Sequence, residues 1–226
     1  PSVRAVSDWR RHAMEFRATG LATFFNEDSS QNDRGYALEK RGRLDISRRT
    51  NIEVLAVTAL TQEGRTARDA IDAAAGRTDI HTNRISGALN HRFNRLSVQL
   101  RGSVTDTDYD GVLTNTGGFI TNAERDYTSN EAATRATWQF KPTLSAFAEA
   151  GIVNRDFKAP AGDGITRDSN GERFRFGVAF GSASEYLRGE VSLGWGQQRP
   201  DDSRLGGVSG LLLDANLAYR MSALTT

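Results

Sequence analysis

The chain has 226 residues, 29 basic against 28 acidic, for a formal charge of +1. It has no cysteine, which excludes disulfides, thiolate metal sites and cysteine nucleophiles. The balanced charge argues against a nucleic-acid partner, which needs a basic stripe, and no apolar run approaches the ~18 residues of a membrane helix.

Residues 1–10 read as a periplasmic N-terminal segment ahead of a first strand over 11–25. In that strand Met14, Phe16, Ala18, Ala22 and Phe24 share one face, and Glu15, Arg17, Thr19 and Thr23 the other. A polar loop, NEDSSQNDR, follows. The second strand sets Tyr36, Leu38, Leu44 and Ile46 against Glu39, Arg41, Arg43 and Asp45, then turns at once through RRTN. The third sets Ile52, Val54 and Ala56 against Glu53, with Leu55 and Val57 breaking the polar face. A long connection over 63–78 contains ARDAIDAAAG, compatible with one short helix. The fourth strand opposes Ile85, Gly87 and Leu89 to Arg84, Ser86 and Asn90. After a short turn, the fifth opposes Leu96, Val98, Leu100 and Val104 to Ser97, Gln99, Arg101, Ser103 and Thr105.

A long loop over 106–126 leads to the sixth strand, with Ala132, Ala136, Trp138 and Phe140 against Glu131 and Arg135. After the KPT turn the seventh places Leu144, Ala146, Ala148 and Ala150 against Ser145 and Glu149, with Phe147 as an exception. Following the loop over 156–169, the eighth places Phe174, Phe176, Val178 and Phe180 against Arg173, Arg175, Gly177 and Ala179. A tight SASE turn leads to the ninth, with Leu187, Val191, Leu193 and Trp195 against Arg188, Glu190 and Ser192. The tenth, after QQRPDDSRLGG, has Leu211, Leu213, Leu217 and Tyr219 against Asp214 and Asn216.

Side chains alternate across a strand with period two, so each segment is apolar on one face and polar on the other. Period two alone also fits a soluble β-sandwich. Two features favour the membrane. Many segments reach the ~9–11 residues of a tilted membrane strand, against ~5–6 in soluble sheets. The connections also alternate short and long, as periplasmic turns and outer loops do. Phe24, Phe25, Trp138, Phe140, Trp195 and Tyr219 lie near strand ends, where an interfacial girdle sits. The expected fold is all-β: an antiparallel up-and-down transmembrane β-barrel of about ten strands, a single domain over 1–226.

RGRLDISRRTNIEV, ATWQFKPTLSAFAEAG, FGVAFGSASEYLRGEVSLGW and LLLDANLAYRMSALTT are strand–turn–strand units. In these units the chain resembles the outer-membrane β-barrel porins of Gram-negative bacteria, a broad family that includes barrels associated with exopolysaccharide export. The resemblance implies a channel in the bacterial outer membrane rather than an enzyme. That channel would pass polar solutes or polysaccharide through a charged lumen, without a cofactor. The expected surroundings are outer-membrane lipid and lipopolysaccharide, with periplasmic or membrane partner proteins. The competing expectation is a structural or adhesive barrel with a plugged lumen, whose extracellular loops bind partners. The final SALTT reads as a turn entering a further strand of a larger barrel, although an even strand count equally permits a closed ten-strand one.

The polar face carries the candidate lumen residues: Arg17, Arg41, Arg43, Arg84, Arg101, Arg135, Arg173, Arg175 and Arg188, with Glu15, Glu39, Asp45, Glu53, Glu131, Glu149, Glu190 and Asp214. Lumen side chains tune selectivity in wide barrels; in narrow ones such charges pair across strands and fill the interior. Asp106, Asp108 and Asp110, followed by Gly111, open like a calcium loop, but its twelfth position is Gly117 instead of the bidentate Glu. What remains is a weak calcium candidate in an outer loop. His12, His81 and His91 lack metal-ligand spacing, and Ser209 lacks the second glycine of a nucleophile elbow.

Overall fold

The computed structural model describes residues 1–24, 26, 32–64, 76–114, 116–181 and 186–220. One antiparallel sheet dominates it. In chain order the strands are β1 (Ser2–Val6), β2 (Ala13–Thr23), β3 (Asp33–Asp45), β4 (Thr50–Gln62), β5 (Asp79–Arg92) and β6 (Leu96–Tyr109). Then come the two-residue strands β7 (Val112–Leu113) and β8 (Phe119–Ile120), followed by β9 (Tyr127–Lys141), β10 (Leu144–Phe157), β11 (Ser169–Phe180), β12 (Leu187–Pro200) and β13 (Val208–Tyr219). Eleven of these form a meander, β1-β2-β3-β4-β5-β6-β9-β10-β11-β12-β13, while β7 and β8 pair only with each other. Each of the ten expected segments is a strand of this meander. The eleventh, β1, comes from residues 1–10, expected as a segment outside the sheet. Ser2–Val6 pairs with β2 from Ser2↔Thr19 to Val6↔Glu15. The Ala-rich segment expected as a helix, the SASE turn, Phe25 and the SALTT end fall largely or wholly outside the described residues.

At one rim few residues separate consecutive strands: 46–49, 93–95, 142–143 and 181–186, with 7–12 after β1. The opposite rim carries the connections 24–32, 63–78, 110–126, 158–168 and 201–207. The alternation read from the sequence is therefore a sorting of turns and loops to opposite ends. Both edge strands, β1 and β13, run toward the short-turn rim, and they are not hydrogen-bonded to each other.

The register makes the two faces explicit. Phe176 pairs with Ala148 on one side and Leu193 on the other, and Leu193 with Leu213, giving an apolar row across four strands. One residue along, Arg175 pairs with Glu149, and Glu149 with Arg135. The apolar face points out: Phe176 is 67% exposed and Leu213 78%. Glu149, Thr107, Ser129, Ser169 and Ser192 are buried, whereas Val112 and Phe147 are the buried apolar residues among those described. A water-soluble domain buries Val, Leu, Ile and Phe and leaves ionised carboxylates outside. This sheet does the reverse, as a wall with lipid outside and a polar interior must.

The strands outlast the apolar band toward the loop rim. Outward positions there become polar: His81 and Asn83 on β5, Thr128 and Asn130 on β9, Asn154 on β10, Asn170 and Glu172 on β11, Gln197 and Arg199 on β12. Within the band one outward position is charged. Lys40 lies midway along the outward series Tyr36, Leu38, Lys40, Gly42, Leu44, between Phe16 on β2 and Ala56 on β4. It makes no ion pair or hydrogen bond among the described residues.

Candidate functional site: a charged inner face

Every charged residue expected on the polar face lies on one face of the sheet, as the register requires. On β2 and β3 the pairs are local and exposed. Glu15 accepts from Arg4 at 2.7 Å and Arg17 at 3.2 Å; Arg41 reaches Glu39 at 3.2 Å and Arg43 reaches Asp45 at 2.9 Å. Solvent screening leaves exposed pairs of this kind with little net effect on stability.

The β6–β12 part of the inner face is built differently. Glu149 is 3% exposed and sits among three guanidinium groups. Arg175 binds it directly across β10–β11. Arg101 reaches over Ala133 from two strands away, at 2.6 Å, and Arg135 lies 3.9 Å off. Arg135 also donates to Glu190 at 3.1 Å, and Arg175 lies 3.8 Å from Asp214. Phe147, expected as an exception to the alternation, points inward, and Arg135 stacks on its ring, 3.5 Å from the centroid. Two glycines open the space. A Cβ at Gly177 would lie 2.5 Å from the Phe147 ring, and one at Gly194 would meet the Phe174 carbonyl at 2.2 Å and the Arg175 side chain at 2.8 Å. Arg173 extends the network to Glu131 at 3.6 Å. Sequence reading had Glu149, Arg135 and Arg175 on one face; it missed Phe147 and the glycines as parts of the same cluster, because their contacts depend on register.

Beside this cluster the inner face forms a hollow of about 560 Å³, lined by Arg41, Arg43, Arg84, Arg101 and Arg173 with Glu15, Glu53 and Glu131. Leu55, Ser86 and Ala88 line it too. Arg188 lies outside the hollow, on β12 near the short-turn rim.

The weak calcium candidate is occupied by a cation of the chain itself. The Lys158 ammonium lies 3.1 Å from Asp106 and 2.5 Å from Asp108, and these hydrogen bonds, Asp108 first, raise its pKa. Asp110 stands apart, 3.5 Å from His81. No group of His, Asp and Glu able to hold a metal occurs among the described residues. The loop rim is otherwise tied by Arg125, which binds Glu63 and lies 4.2 Å above the Tyr109 ring, and by Asn122 donating to the Asp110 carbonyl. Between β12 and β13, hydrogen bonds from the Arg204 side chain pull Asp202 down to about 2.

A long-stranded antiparallel meander with an apolar exterior, a charged interior, and turns and loops sorted to opposite rims defines a wall of the transmembrane β-barrel type. The model of the family "Putative beta-barrel porin 2" matches residues 1–226, and the chain belongs to that family. No curated protein and no solved structure matches it.

Proposed function

We propose that this protein is an outer-membrane channel of a Gram-negative bacterium that passes polar solutes by diffusion along its charged inner face. One observation carries the reading: the wall is inside-out, with an arginine network around the buried Glu149 carboxylate on one face and exposed phenylalanine and leucine on the other. Lipid and lipopolysaccharide are the matching surroundings for that exterior and its polar upper collar. Passage of polysaccharide is the finer form of the reading, and it rests on the resemblance of the strand–turn–strand units to export-associated barrels. Reconstitution in planar bilayers tests the channel. Stepwise conductance is the expected result; a heat-modifiable, folded protein that inserts and stays silent rejects it. Silence of that kind favours the structural reading, in which the Glu149 cluster fills the lumen and the loops tied through Arg125 bind partners.

The membrane placement gives a separate prediction. A lysine at the lipid midplane costs about 2–4 kcal/mol, and Lys40 has no partner on its own wall. Lys40→Leu is therefore expected to stabilise the protein by up to about that amount in vesicles, read as a rise in urea midpoint. A variant no more stable than the parent shows that this face is not opposed to lipid.

A further inference from the structure

We infer that the hollow on the inner face is a binding site for ring-bearing organic carboxylates, with Arg84 receiving the carboxylate and the β4 wall receiving the ring. This rests on the channel reading for its biological setting but not for its chemistry.

Two observations meet at one place. The first is an accounting of charge. Arg41, Arg43, Arg101 and Arg173 each have a carboxylate within 4 Å: Glu39, Asp45, Glu149 and Glu131. Arg84 has none, and among the described residues its guanidinium makes no hydrogen bond. The hollow's own carboxylates do not reach it. Glu15 is held by Arg4 and Arg17, Glu131 by Arg173, and Glu53 stands opposite Arg43 and Ala88 in register, four residues along β4 from the partner of Arg84. An arginine is permanently charged and offers a planar fork of donors that fits a carboxylate bidentately. A free one lining a hollow is a ready anion receptor.

The second observation is apolar. Leu55 and Val57 interrupt the polar face of β4. The register puts both on the inner side: Val57 is directly opposite Arg84, and Leu55 opposite Ser86. Both are half-buried. Ala88 and Ala133 extend the apolar lining of the hollow. Isolated inward apolar residues have no lipid to face, and here they flank the one unpaired cation of the hollow. A guanidinium beside a small apolar shelf selects an anion that has an apolar ring: an aromatic acid, an alicyclic acid, or an acidic sugar presenting its C–H face. Small anions such as acetate and chloride fill only the charged half.

The test uses benzoate against acetate. In planar bilayers carrying chloride current, benzoate is expected to reduce the current in a saturable manner, and acetate at equal concentration is not. Arg84→Gln should raise the half-blocking benzoate concentration about tenfold, the loss typical of one charge-assisted contact. Leu55→Ser should raise it by a smaller factor, and Arg84→Lys should retain part of the block; each is read relative to the variant's own chloride current. Equal block by acetate and benzoate, or block insensitive to Arg84→Gln, overturns the inference. Calorimetric titration of benzoate into the detergent-folded protein separates it from the channel reading. Arg84-dependent binding without conductance keeps the site and rejects the channel; conductance without such binding keeps the channel and rejects the site. A heat-induced gel shift establishes that each variant is folded.

Discussion

Replacing Glu149 with alanine is expected to destabilise the folded wall by about 3–5 kcal/mol, the cost of removing one partner from a buried charged network. Alanine leaves Arg175 and Arg101 facing each other and Arg135 without its buffer, and Arg135 and Arg175 then have only Glu190 and Asp214, which is 61% exposed at its side chain, for compensation. Glu149→Gln keeps the shape and an acceptor oxygen, so its loss should be smaller. Arg188→Ala is the control: exposed and unpaired, it should fall within about 0.5 kcal/mol of the parent. Denaturant titration in detergent, followed by tryptophan fluorescence, ranks the three. If Glu149→Ala unfolds at the same denaturant concentration as Arg188→Ala, the cluster does not stabilise the wall. The lumen would also be affected, since released guanidinium groups raise the positive charge of the inner face, and a shift toward anion permeability should accompany the loss of stability.

Phe176→Arg is expected to cost about 2–4 kcal/mol in a bilayer, because it places a guanidinium in lipid at the centre of the apolar row formed with Ala148, Leu193 and Leu213. The informative comparison is Ser103→Arg. That residue lies on the opposite face, directly across from Glu131, so the new cation has water and a carboxylate. Folding yield into vesicles should fall steeply for the first and little for the second. Equal penalties would mean that the two faces meet the same environment and would remove the membrane assignment.

The apolar band was legible in the sequence because lipid imposes a strict two-residue rhythm on it. Phe174, Phe176, Val178 and Phe180 could be placed on one face before any partner strand was known. Some strand ends at the loop rim were not legible, and the physical reason is the polar collar. Where both faces are wet, as at Asp106 and Asp108 on β6 and at Gln197 and Arg199 on β12, alternation in hydropathy vanishes although the hydrogen-bonded ladder continues. That is why β6 extends to Tyr109 and β12 to Pro200, beyond the expected segments, whereas β5 and β9 begin at Asp79 and Tyr127, where the preceding connections were expected to end. The five-residue strand β1 was missed for a related cause, since Val3 and Ala5 alone carry its outward face. The inner face was legible as a set of charges but not as a site. Which arginine meets which carboxylate depends on register, on the small residue Ala133 beneath Arg101, and on the space left by Gly177. Those pairings then decide which cation is left over, so Arg84 looks no different from Arg101 in the sequence alone.

The direction of the two edge strands has a topological consequence. With β1 and β13 parallel, the sheet has odd parity and cannot zip shut by joining its own margins in the antiparallel manner used everywhere else along it. A continuous circumference requires either a single parallel seam or an odd number of intervening strands, the first of them climbing from the short-turn rim beside β13. The eleven strands therefore set a lower bound on the circumference, and the seam decides how far the bore exceeds it.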